Sequence, residues 1–142
     1  DNDYGYKKFY SSIDTILTGR KTYEQALGFG EWPYPGKKCY VLSRKPDNKA
    51  DKNVEFAANA TALANELKRQ SGKGIWLVGG SEIITALLNA GLVDEFVVSI
   101  HPIILGSGIP LFAGIKKQQR LKLKDVKTFK TGLVQLMYDA AE

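Results

Sequence analysis

The stretch Thr15-Ile16-Leu17-Thr18-Gly19-Arg20-Lys21-Thr22-Tyr23-Glu24 changes character at its glycine. Thr15 to Thr18 has the β-branched, apolar composition of a short buried strand, and Thr22 to Leu27 reads as a helix. A strand that passes through one glycine into a helix is the building unit of an α/β domain. The turn also leaves backbone N–H groups and the positive end of a helix dipole facing outward, which favours an anion. Arg20 can add a two-bond contact and Thr22 a hydroxyl. A plain capped helix with surface charges has the same look, so this junction gains weight only from its companions.

Two further junctions supply that weight. Val41-Leu42-Ser43-Arg44-Lys45-Pro46 is an apolar strand ending in a hydroxyl and two cations, suited to a second phosphate such as the one that separates NADPH from NADH. A solvated charge cluster is the plainer reading. Trp76-Leu77-Val78-Gly79-Gly80-Ser81-Glu82-Ile83 is a strand that turns through paired glycines into a helix, where backbone can approach a pyrophosphate closely. It lacks the G-x-G-x-x-G spacing of a Rossmann site. Three anion-suited turns at successive strand ends point together to an extended, multiply phosphorylated ligand.

Outward from these junctions the chain alternates apolar runs with helical patterns. Helices are expected at 3–12, 22–27, 61–70 (capped by Asn59 or Thr61) and 81–89. Strands are expected at 15–18, 39–42, 54–57, 75–78 and 95–100, with a closing hairpin over 121–138 that turns at Lys130, Thr131 and Gly132. The expected class is α/β: a three-layer mixed β-sheet with helices on both faces and an antiparallel hairpin at one edge.

Composition sets the outer limits. With 142 residues, 44% hydrophobic and 25% charged, the chain suits one packed domain spanning residues 1–142. No apolar run is long enough to cross a bilayer and no signal pattern opens the chain, so a cytoplasmic location is expected. Cys39 is the single cysteine, which rules out an internal disulfide. The net charge of +5 favours anionic partners. The lysines are not interleaved with aromatic residues as a single-strand platform requires, so a small-molecule ligand is expected rather than nucleic acid, and no membrane partner.

Gly19-Arg20-Lys21-Thr22-Tyr23-Glu24, Pro33-Tyr34-Pro35-Gly36-Lys37-Lys38, Val41-Leu42-Ser43-Arg44-Lys45-Pro46 and Gly79-Gly80, in that order, resemble the dihydrofolate reductase pattern. The segment from Leu92 through His101-Pro102-Ile103-Ile104-Leu105-Gly106-Ser107-Gly108-Ile109-Pro110-Leu111-Phe112 is more similar to the riboflavin-pathway reductases, the deaminase-reductase C-terminal domains of the same superfamily. The resemblance implies an NADPH-dependent reductase, acting on a small heterocyclic or carbonyl substrate as the phosphoribosylaminouracil and dihydrofolate reductases do. It implies that Gly19, Arg20, Lys21, Thr22, Ser43, Arg44, Gly79, Gly80, Ser81 and Glu82 hold NADPH. Arg20, Ser43 and Arg44 would grip the 2′-phosphate, and Thr22 with the 79–81 turn the pyrophosphate. It also implies a homodimer formed through late strands.

The match has departures. Lys37 stands where dihydrofolate reductases carry an arginine that forks onto the folate carboxylate, a geometry lysine cannot reproduce. Ile83 and Ile84 replace an aromatic, a further step toward the riboflavin-type branch. The family's first strand and nicotinamide-covering loop have no counterpart before Asp1, so a longer natural N-terminus is expected. Asp3 falls at the family's catalytic carboxylate. At a helix start facing an apolar pocket it is expected either to carry a raised pKa and donate a proton, or simply to cap its helix. His101, the single histidine, is a weaker candidate for substrate contact. The alternative function is a non-catalytic nucleotide- or polyanion-binding module on the same fold.

Overall fold

Side chains of the first strand point alternately into two apolar clusters, and that alternation sets the layers. The computed structural model of the chain describes residues 3–45 and 49–141. In β1 (Ile13–Gly19), Ile16 points into one apolar cluster and Leu17 into the other. A strand buried on both faces needs helices on both sides. Leu17 packs with Ala64 and Leu67 of α3 (Ala60–Arg69) and with Ile83 and Leu87 of α4 (Ser81–Asn89). Ile16 faces Cys39, Trp76 and the aromatic side chains of α1 (Tyr6–Ser11). Ile16, Leu17 and Val41 are essentially inaccessible to solvent, and burying each such side chain stabilises the fold by roughly 1.5–3 kcal/mol.

The remaining elements are α2 (Arg20–Leu27), β2 (Lys38–Leu42), β3 (Val54–Ala57), β4 (Gly74–Gly79), β5 (Glu95–Ile100), β6 (Leu121–Thr128) and β7 (Val134–Ala140). All the expected elements are present, with ends displaced by one to a few residues. Of the two candidate caps for α3, Asn59 is the one used: its side chain accepts the Ala62 N–H at 2.9 Å.

β3-β2-β1-β4 form a parallel sheet and β5-β7-β6 an antiparallel one, so the α/β class with helices and a closing antiparallel element holds. One detail differs from the expected single mixed sheet. Among the described residues the two ladders are not hydrogen-bonded to each other, and β3, β4, β5 and β6 are their edge strands. The halves are joined through side chains instead. Tyr4 reaches Thr131 and stacks edge-on with Phe129, while Tyr6 and Phe9 of the same segment stack on Trp76. Lys68 of α3 pairs with Asp94, which precedes β5.

Candidate functional site

The order β3-β2-β1-β4 reverses direction at β1: the chain moves outward through β2 to β3, then returns to place β4 on the other side of β1. α2 leaves the end of β1 and α4 leaves the end of β4, so a crevice opens between two helix N-termini at the carboxyl ends of these strands. Open α/β sheets bind ligands at such reversal points. The register puts Gly19 beside Leu42 of β2 and Thr18 beside Gly79 of β4. All three junctions singled out in the sequence therefore meet along one edge of the sheet.

Two of them touch. A Cβ on Gly19 would lie 3.4 Å from the Gly80 nitrogen, and one on Gly80 would lie 3.4 Å from Thr22 Oγ1. Gly79 has φ of +131°, a conformation that L side chains rarely adopt, and the Gly79-Gly80 peptide is cis. Thr18, buried at the strand end, donates its hydroxyl to the Gly79 carbonyl at 3.0 Å and fixes the turn against β1. The result is a cradle of bare backbone at two helix starts, where side chains would close the space a phosphate needs.

The third junction adds a positioned cation. Arg20 Nη1 donates to Ser43 Oγ at 3.1 Å and its Nε pairs with Glu24 at 3.2 Å. Ser43 is buried, and its hydroxyl also accepts the Lys45 N–H at 3.3 Å. Lys21 and Arg44 are exposed beside them; Pro46 lies outside the described residues. Ser81 and Glu82 open α4 and are exposed. The Glu82 carboxylate complements the helix dipole itself and would repel a phosphate, so this residue can offer an anion only its backbone.

Asp3 departs from the expected proton source. It is exposed to solvent around its carboxylate and accepts the N–H groups of Gly5 at 2.9 Å and Lys7 at 3.2 Å. Those two bonds, Gly5's first, lower its pKa instead of raising it. The N-cap of α1 is Gly5, and the Asp3 carboxylate instead holds the turn that leads into the helix. His101 is exposed at the end of β5, as are Leu105, Gly106, Ser107, Gly108 and Phe112.

Lys37 is turned inward. Its ammonium donates to the Ile13 carbonyl at 2.7 Å and sits 4.6 Å over the Tyr10 ring, while Tyr10 Oη donates to the Pro35 carbonyl at 2.8 Å. Trp32 and Tyr34 are half-buried in the aromatic cluster under α1. An open cleft of about 700 Å³ beside them, lined by Lys37, Lys38, Lys52 and Glu55, lies at the amino ends of β2 and β3, away from the glycine turns. Lys38 is already paired there with Glu55.

One pair was not foreseen from the sequence. Tyr23 Oη donates to Asp51 Oδ2 at 2.6 Å, across 28 positions of chain. Burial first, then this bond, pushes the Tyr23 phenol up to about 12, and the same bond leads the lowering of the Asp51 pKa. Cys39 is buried nearby, its thiol raised to about 11 by burial and then by the Asp51 charge, which disfavours the reactive thiolate. Among the described residues no group of three His, Cys, Asp or Glu side chains is placed to hold a metal ion.

Residues 36–135 match the RibD C-terminal domain family. Two Bacillus subtilis (strain 168) proteins, the uncharacterized YyaP and YwjB, are similar over 97% of this chain and 80% of their own length, at 40% and 39% identity. A crystal structure of a putative riboflavin biosynthesis protein from Shewanella sp. PV-4 superposes over 100% of this chain and 82% of its own, with a TM-score of 0.86 at 24% identity. That last likeness concerns the fold.

Proposed function

The chain belongs to the RibD C-terminal domain family, on a dihydrofolate reductase-like fold, and from that premise we propose that it is an NADPH-dependent reductase of a small heterocyclic or carbonyl substrate. The observation that carries this reading is the meeting of three phosphate-suited strand ends at the reversal point of the parallel sheet. NADPH needs both features present there: a side-chain-free turn at helix N-termini for its pyrophosphate and a separate cationic station for its 2′-phosphate.

In this reading Gly19, Thr22, Gly79, Gly80 and the backbone of Ser81 and Glu82 take the pyrophosphate. Arg20, Lys21, Ser43 and Arg44 take the 2′-phosphate. The cofactor supplies a hydride donor, and the chain's part is to orient the two reactants and keep water from between them. Arg20 comes preset, since Ser43 and Glu24 hold its guanidinium before any ligand arrives. Asp3, held ionised, serves as an acceptor that orients a ring N–H and not as the acid.

The inward Lys37 disfavours folate, because its ammonium is committed to Ile13 and Tyr10. The partners in this reading are a small molecule and a second copy of the chain, with neither nucleic acid nor membrane involved. No helix among the described residues is long and apolar enough to cross a membrane, and a single buried thiol suits the cytoplasm. The dimer is supported by the open face of the antiparallel sheet, where Ile100, Leu123 and Val126 are 51%, 53% and 44% exposed.

The test is a titration with NADPH and NADH, following Trp32 and Trp76 fluorescence and melting temperature. Tight NADPH and weak NADH binding is expected, with Arg44→Ala weakening NADPH about tenfold or more and NADH little, the size of a charge-assisted bond lost. Equal loss for both cofactors removes the 2′-phosphate assignment. No response to either, together with salt-sensitive binding of many polyanions, replaces the reductase by a binding module.

A further inference from the structure

Parallel neighbouring strands force the chain to return from the carboxyl end of one to the amino end of the next. Between β1 and β2 the return includes α2, and between β3 and β4 it includes α3. In the return between β2 and β3 the described residues 43–45 and 49–53 form neither helix nor strand, and side chains fix them on either side. Its outgoing limb is fixed where Ser43 N–H donates to the Ala57 carbonyl at 2.8 Å and Arg20 reaches Ser43 Oγ. Its incoming limb is fixed where Asp51 accepts Tyr23 Oη at 2.6 Å and the Asn53 N–H at 2.9 Å.

Arg20 and Tyr23 are three residues apart on α2, hence neighbours on one helix face. One helix therefore clamps both limbs of the connection that carries Arg44 and Lys45. The Tyr23 ring cannot swing away, because Trp32 and Phe56 pack edge-on against it at centroid separations of 6.3 and 5.7 Å. Asp51 spends one carboxylate oxygen on Tyr23 and the other on Asn53, so the turn into β3 and the clamp share one side chain.

We propose that Tyr23 and Asp51 are positioning residues that set the preference for NADPH over NADH, by tethering the β2–β3 connection so that Arg44 and Lys45 stand ready at the 2′-phosphate. This rests on the function proposed above. Without the tether the two cations must be ordered anew on each binding event, and that entropic loss falls on the phosphate they recognise. The pyrophosphate turns, held by β1 and β4, are untouched. NADH affinity therefore stays while NADPH affinity falls.

The experiment measures Kd for both cofactors in wild type, Tyr23→Phe, Asp51→Ala and the double variant, with amide exchange of residues 49–53 alongside. Tyr23→Phe keeps the ring packing and removes only the donor. Each single variant is expected to weaken NADPH about three- to tenfold, less than the full worth of a hydrogen bond to a charged group, because the bond acts on the phosphate only through the tethered chain. NADH should change less than about twofold, exchange at 49–53 should speed up, and the double variant should be no worse than Asp51→Ala, since the pair acts as one unit. Leu67→Ala serves as a control that lowers stability on the opposite face of the sheet. A merely structural role for the pair would make its variants resemble this control, lowering both affinities together, and would overturn the proposal. A wild-type preference for NADPH that survives both variants overturns this inference alone, whereas a wild type without that preference overturns the proposed function and this inference with it.

Discussion

The parallel and antiparallel halves of this chain bury their apolar residues to very different degrees. Every buried apolar side chain among the described residues except Leu133 lies in β1, β2, α2, α3 or α4. The antiparallel half leaves Ile100, Leu123 and Val126 open on one sheet face, and Ile104 and Ile109 almost wholly bare in the segment that follows β5. The first half has helices on both faces and holds its phosphate-suited turns on a rigid floor. The second presents the surface of a core without its other layer, which is the character of an interface. In the function proposed above, ligand binding and assembly thus fall to different halves of the chain.

The largest effect that could break this contrast is on stability. Ile16→Ala, at the centre of the parallel sheet, is expected to lower unfolding free energy by about 2–5 kcal/mol at any protein concentration. Leu123→Ala should cost less than about 1 kcal/mol in dilute protein and more as concentration rises, because in the proposed dimer its cover comes from another molecule. Urea titrations at two concentrations read both. A loss at Leu123 that is large and independent of concentration would mean that the open face is covered from within the same chain.

Next in size is the assembly itself. Leu123→Asp combined with Val126→Asp places two charges on the open face and should shift sedimentation from dimer to monomer. The NADPH titration should move little, because the cradle at Gly19 and Gly80 lies in the other half. A wild-type monomer at all concentrations removes the dimer from the proposed function. A variant that loses NADPH binding along with its partner would instead show that the halves are coupled.

The same contrast explains what could be read from the sequence. Strands and helices of the parallel half announce themselves locally, by apolar runs that end at a glycine or a small hydroxyl residue, and its three turns were legible because Gly19, Ser43 and Gly79 each close such a run. What stayed hidden depends on residues far apart in sequence. Lys37 looks like a ligand-facing cation until Ile13 and Tyr10 are seen to occupy it. Tyr23 looks like an ordinary helix aromatic until Asp51 is found against its hydroxyl. The separation of the two ladders could not be read either, since alternation marks a strand without naming its neighbour.

Asp3 is the point where the two halves are braced, and it carries the smallest effect expected. Its carboxylate holds the Gly5 and Lys7 N–H groups, and between Asp3 and Gly5 the Tyr4 backbone adopts φ of +54°, a left-handed conformation that a tyrosine keeps only when its surroundings hold it. Tyr4 in turn touches Phe129 and Thr131 of the antiparallel half, while Tyr6 and Phe9 touch Trp76 of the parallel half. Because the folded-state pKa of Asp3 is lowered, the stability it contributes is fully present above its unfolded value of 3.8 and is lost as pH falls through the folded value. Asp3→Asn should therefore give a small drop in melting temperature at neutral pH that vanishes in acid, with faster amide exchange at Gly5 and Lys7. The Asp3 carboxyl carbon should show no titration between pH 5 and 8 by NMR. A titration within that window would restore the proton-source role that its position in the sequence first suggested, and would make the brace between the halves part of the chemistry.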